Sequence, residues 1–287
     1  MKKLLHANFS RLIRSKVFLI CAAVMFISSV ALTLYSASFV KNFEEDYKFY
    51  LDVFVFNLAP YTALLSAVFI TLFIGTEYSN KTIRNKLIVG HTRTNIYLAD
   101  FITCFAGSVF VIALWFVGMI PGVFLTDGFE MGFMGVLEYF FIAVGFTAVF
   151  CSIFVLIGTL APNKALAVVL VMAVWFALMF LGYFADENMT NVNFDKITII
   201  ENGKETVVEE VRNRFITYRM LSRINPAAQT IFMATVAYGN LSYSTGDFIF
   251  DLGPLYTSSL LDIVFSIVIT VIITAIGIFF FRKKELR

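Results

Sequence analysis

The chain has 287 residues, of which 59% are hydrophobic and 15% charged, with a formal net charge of +2. A soluble domain averages roughly 45–50% apolar and 25% charged residues, so an ordinary soluble fold is excluded. The excess falls in unbroken blocks of about 20 residues, long enough to cross a hydrocarbon core as helices and too long and uniform for β-barrel strands.

Residues 1–16 carry Lys2, Lys3, Arg11, Arg14 and Lys16 and no acid. Leu4, Leu5, Phe9, Leu12 and Ile13 fall at helical spacing, which predicts an N-terminal interfacial helix with its basic groups toward lipid headgroups. A basic flank that serves only membrane insertion explains the same residues. The first span, 17–39, exceeds the roughly 7–15 apolar residues of a signal peptide and is read as retained. An acidic segment follows, then a second span over 54–76, kinked or begun by Pro60. A polar stretch, 77–98, leads to a third span over 97–120, expected to stop at Pro121-Gly122. The fourth and fifth spans cover 135–160 and 165–184, joined by a tight turn at Ala161-Pro162-Asn163-Lys164.

Residues 185–254 differ in being polar. Two β-branched runs flank Glu201-Asn202-Gly203-Lys204, a hairpin signal, and a helix is expected to follow as far as about Arg223. Asn225-Pro226 then reads as a cap and first turn of a short helix that Gly239 could end. The sixth span covers 260–281. The fold class expected is therefore an all-α polytopic membrane protein with six transmembrane helices and an α+β extracellular loop before the last one. Its parts are 1–184, the 185–254 loop domain, and 255–287.

The distribution of charge gives the orientation. Residues 1–16, 77–98, 161–164 and 282–287 fall on one side of a six-span chain and hold 14 of the 22 Lys and Arg residues. The positive-inside rule makes that side cytoplasmic, with both termini on it.

Catalytic chemistry finds few candidates. No G-x-x-x-x-G-K-[ST] loop occurs, so ATP is not bound in the P-loop manner. His6 and His91 are the only histidines, and neither H-E-x-x-H nor a Cys/His cluster exists to hold zinc. G-x-S-x-G is absent. Cys21, Cys104 and Cys151 lie within spans and imply no disulfide framework. Catalytic and metal sites are therefore expected to be absent, and substrate-binding residues stay unassigned. A proton- or sodium-coupled carrier should carry ionisable groups deep in its helices. Asp262 is the best candidate, followed by Glu138 and Asn57. Asp262 also stands three residues after Ser259, as the acid of a capping box at the start of the sixth span.

The polar stretch between the second and third spans is the most informative. A helix from Ser79 to Gly90 would place Ile83 and Leu87 on one face and leave Lys81, Arg84 and Lys86 to meet an acidic or polar surface. Thr92 or Thr94 could cap the third span. A basic loop required only by topology is the plainer reading.

Here the sequence resembles the membrane subunits of ATP-binding-cassette exporters, the type-2 permease family. The residues that carry the likeness are Gly75-Thr76-Glu77-Tyr78, then Lys81-Thr82-Ile83-Arg84-Asn85-Lys86-Leu87, then Arg93 and Tyr97. The resemblance implies a cytoplasmic coupling helix at 79–90. A separate ATPase subunit carrying ATP and Mg would dock on it through Glu77, Tyr78, Lys81 to Leu87 and Arg93, and on the N-terminal helix. It also implies a second permease subunit, identical or paralogous, and export of an amphipathic peptide, antibiotic or lipid-like compound across a bacterial cytoplasmic membrane. This chain would bind no cofactor and no nucleic acid, with lipid and protein as its partners. A toxin or peptide sensor or immunity protein, or a secondary carrier, is the alternative. The outer loop, about 70 residues, departs from the family pattern. It could be re-entrant helices or a folded cap.

Overall fold

The computed structural model describes residues 1–40, 51, 56–80, 82–129, 131–190, 217–233 and 259–284. Helix α1 (Lys2–Ile13) buries Leu4, Asn8 and Leu12, one residue per turn along a single stripe. Helix α2 covers Lys16–Val40. A 3-10 turn, Phe56–Leu58, opens α3 (Ala59–Ser79). Pro60 sits in the first turn of α3, where a missing N–H has no intrahelical partner to lose, so it marks a start rather than a kink. Then come α4 (Thr82–Ile88), α5 (Arg93–Val123), α6 (Gly132–Leu160), α7 (Lys164–Thr190) and α8 (Ser259–Lys283). Six of these, α2, α3 with its opening turn, α5, α6, α7 and α8, are long and apolar enough to cross a membrane, with mean hydropathies from 1.9 to 2.9.

Helix α5 runs through Pro121 to Val123, so the expected stop at Pro121-Gly122 is wrong. Pro121 forgoes one hydrogen bond and crowds the Val117 carbonyl in the turn before it, so its cost falls on the last turns of the helix.

Helices α3, α5 and α6 form the centre, with α2 packed on α5, α7 on α3 and α8 on α6. The most apolar stretch of α3 is 61% buried and that of α8 only 17%, which separates inner from outer helices. Between apolar helices in lipid there is no hydrophobic driving force, so close packing of small residues holds them together. The α2–α5 seam shows this. A Cβ on Gly118 would lie 2.7 Å from the Ser29 Cβ, and one on Gly122 would lie 1.9 Å from the Thr33 Cγ2. The backbones are close enough for the Ser29 hydroxyl to donate to the Trp115 carbonyl at 2.7 Å.

The α+β outer loop is not supported, and among the described residues there is no strand. The hairpin expected around 201–204 and the helix end at Gly239 lie outside the described residues. What is described of this loop, 217–224 and 226–233, is helical. Asn225 caps the second stretch by accepting from the Ala227 N–H at 3.0 Å, as its sequence predicts. Ala227, Ala228 and Ile231 are buried, and Asn225 Nδ2 donates to the Leu178 carbonyl of α7. This stretch is thus tied to the membrane bundle rather than standing off as a separate cap.

Candidate functional site

The basic segments separated in sequence meet at one end of the bundle. Three of the long helices, α3, α6 and α8, end there, and each leaves carbonyls without intrahelical donors. Side chains supply them. Thr82 Oγ1 donates to the Glu77 carbonyl at 3.0 Å. Lys284 Nζ donates to the Thr159 and Ala161 carbonyls at 2.8 and 3.2 Å and lies over the Tyr78 ring. Arg93 Nη1 reaches the carbonyls of Phe281, Arg282 and Lys284. Cations at helix C-termini also oppose the negative end of the macrodipole. Burial lowers the pKa of Lys284 from its ordinary value.

Beneath this layer lies a buried ionic cluster. Glu77, fully buried at the end of α3, accepts from Arg11 of α1 and from Lys86 of α4 through the same oxygen, Oε1. Asn8 bridges to the other acid. Its Nδ2 donates to Asp100 Oδ1 at 2.7 Å, and its Oδ1 accepts from Lys86 Nζ at 3.1 Å. Lys86 also stands 3.6 Å from Asp100. The Arg11 guanidinium lies 3.8 Å above the Phe73 ring. Two acids and two cations from four helices thus neutralise one another where water is scarce, an arrangement that unmatched charges could not survive.

This cluster changes the expected role of several residues. Lys86 does not project to a solvated face but points inward, with a side chain 15% exposed. Arg11 likewise faces Glu77 rather than headgroups, whereas Lys2, Lys3, Arg14 and Lys16 are exposed. Ser79 is the last residue of α3, and α4 begins at Thr82, three residues later than the helix start expected at Ser79. Ile83 is buried and Leu87 packs against the core. Arg84 and Asn85 are exposed, and Lys81 lies outside the described residues. Gly90 ends α4 with a φ of +94°, a value that disfavours a side chain, and the His91 N–H returns to the Lys86 carbonyl at 3.1 Å. Thr92 caps α5 by accepting from the Asn95 N–H. Just before Gly90, Ile88 and Val89 stand 82% and 76% exposed, an apolar tip at the polar end of the molecule.

Asn8 and Asp100 escaped the sequence reading. The available signal was Asn8's position on the apolar stripe with Leu4 and Leu12, where a polar residue needs a buried partner.

A second buried cluster occupies the opposite end. Asp262 accepts from Arg219 Nη2 at 2.6 Å and from Arg223 Nε at 3.0 Å. Its carboxylate is therefore the counter-charge of the 217–224 helix, a role that its spacing from Ser259 does not suggest. Burial lowers the Arg219 pKa, opposed by the charge of Asp262. Ser266 and Gln229 extend the network, the Ser266 hydroxyl donating to Gln229 Oε1 and Gln229 Nε2 to the Arg223 carbonyl.

On the same side as this cluster, α3 and α7 enclose a cavity of about 580 Å³ lined by Tyr61, Trp175, Phe176 and Met179, with Asn57 and Asp186 among its polar groups. The Trp175 indole N–H, buried, has no acceptor among the described residues.

Among the described residues no group of three or more His, Cys, Asp or Glu could hold a metal. A six-span helical bundle with a short, internally anchored helix at its basic end defines a polytopic membrane protein. The chain belongs to the ABC-2 family transporter proteins, whose family model matches residues 3–286. No curated protein matches it. Members of the family are membrane components of transporters, not themselves catalytic, and generally work with an ATP-binding-cassette subunit.

Proposed function

We propose that this chain is the membrane-spanning permease subunit of an ATP-driven exporter, and that α4 receives the force of a separate ATPase subunit. The observation that carries this reading is the mounting of α4. Lys86 and Ile83 fix it from behind to α1, α3 and α5, while Arg84, Asn85, Ile88 and Val89 face outward. A helix held this way transmits displacement to the bundle, and the exposed Ile88 and Val89 offer apolar area for a partner to cover beside Arg84, a residue type enriched at interface anchors.

The basic end is cytoplasmic in this reading, and ATP and Mg belong to the partner. A second permease subunit, identical or paralogous, completes the pathway. The α3–α7 cavity supports an amphipathic substrate. Its volume is within the usual range for small-molecule sites, and aromatic walls with a few polar groups suit a compound having both characters.

The test is reconstitution with the cognate ATPase subunit in liposomes. Ile88→Asp is expected to weaken docking by about 2 kcal/mol, roughly thirtyfold, as for a buried interface anchor. Arg84→Glu should lower ATPase stimulation as well. Full stimulation by both variants, correctly inserted, would refute the docking role of α4.

A further inference from the structure

A separate cavity of about 530 Å³ opens at the basic end, between α1, the start of α2, the last turns of α3 and the start of α7. Its polar wall carries Arg11, Arg14 and Lys164. The ion pair with Glu77 uses only one guanidinium nitrogen of Arg11, Nη1. Nε and Nη2 are both buried and have no acceptor among the described residues. The guanidinium is fixed in place by Glu77 on one side and the Phe73 ring on another. The lining also includes the apolar Val17 and Leu72, which belong to the first turn of α2 and the body of α3.

We propose that this cavity binds the headgroup of an anionic phospholipid from the leaflet at the α1 end of the bundle. Phosphate oxygens match the paired Nε and Nη2 donors of a guanidinium, which favours bidentate acceptors. Arg14 and Lys164 supply the remaining charge. The glycerol and first acyl carbons lie along Val17 and Leu72, which a soluble phosphate compound would leave uncovered. Cations elsewhere on α1, such as Lys2 and Lys3, are exposed and do not line this cavity. The site therefore joins α1, α3 and α7 through a lipid, in addition to their protein contacts.

The experiment titrates the full chain, purified in mild detergent, with phosphatidylglycerol, phosphatidylcholine or inorganic phosphate. Binding is read by native mass spectrometry, with thermal unfolding as a check on folding. Each cation near an anionic surface contributes about fivefold to affinity, so Arg14→Gln with Lys164→Gln should weaken phosphatidylglycerol binding about thirtyfold. Lys2→Gln with Lys3→Gln removes the same charge outside the cavity and should weaken it less than about threefold. Equal losses in the two pairs would reduce the effect to diffuse attraction by a basic surface and overturn the proposal. Equal affinity for phosphatidylcholine would also overturn it. So would displacement of the lipid by inorganic phosphate at comparable concentration, which would assign the cavity to a soluble anion.

Discussion

Glu77 offers the sharpest test of how α4 is held. Replacing it by glutamine keeps the shape and removes the charge that both Arg11 and Lys86 use. Two hydrogen bonds between full charges, each contributing about 1.5–3 kcal/mol, become weaker bonds from the same two cations to an uncharged amide oxygen. The loss is not the full sum. Arg11 is 34% exposed, so part of its charge is returned to water, and Lys86 keeps Asn8 and Asp100. A net destabilisation of about 3 kcal/mol follows, more than a hundredfold in the folded-to-unfolded ratio, in line with one-sided removal of a buried ion pair. Reversible unfolding in mixed micelles measures it, and a cycle with Lys86→Met isolates the pair. The double variant should be less destabilised than the sum of the two single ones, because only Arg11, and no longer Lys86, is then left facing the uncharged position. Glu77→Gln within about 0.5 kcal/mol of the parent would mean that water reaches the carboxylate and that the cluster does not anchor α4.

Arg84→Glu and Lys86→Glu, two residues apart, should behave differently. The first lies on an exposed face and should fold normally, whereas the second would put a third acid beside Glu77 and Asp100 and should abolish stable insertion, as judged by size-exclusion profile and protease resistance. Asp262→Asn should leave two buried arginines without a carboxylate and destabilise by about 3–5 kcal/mol. Hydrogen exchange should rise first in residues 217–233, and unchanged protection there would refute the link between Asp262 and that helix. Gly122→Ala should force α2 from α5, since the new Cβ meets Thr33 at 1.9 Å, and overpacking of this kind costs about 1–3 kcal/mol in thermal unfolding assays.

Much of the architecture follows from local pattern. Six apolar blocks of membrane length give six helices, Thr92 and Gly90 set the ends of the elements they flank, and Asn225-Pro226 starts a helix. These features depend on neighbours in sequence. The facing of Lys86 and Arg84 does not. Both are cations on one seven-residue helix, and which one turns inward is decided by Glu77, Asn8 and Asp100 on three other helices. Asp262 shows the same limit. Its spacing from Ser259 offers a capping pattern and nothing more, while the two arginines it pairs with lie 43 and 39 residues earlier in the chain. Charges buried at helix crossings are fixed by tertiary pairing, which spacing along a single chain does not encode.

Arg93 gives the basic end one more property. It stands at the first position of α5, five residues after the end of α4, yet its guanidinium grips the carbonyl terminus of α8. Helix α8 is the least enclosed of the six spans, with most of its surface turned away from the bundle. A displacement of the α4–α5 elbow must therefore drag the end of α8 with it or tear these hydrogen bonds apart. Arg93 thus joins the elbow to the outermost span, and the protein's first and last thirds are linked at the end where their charges gather.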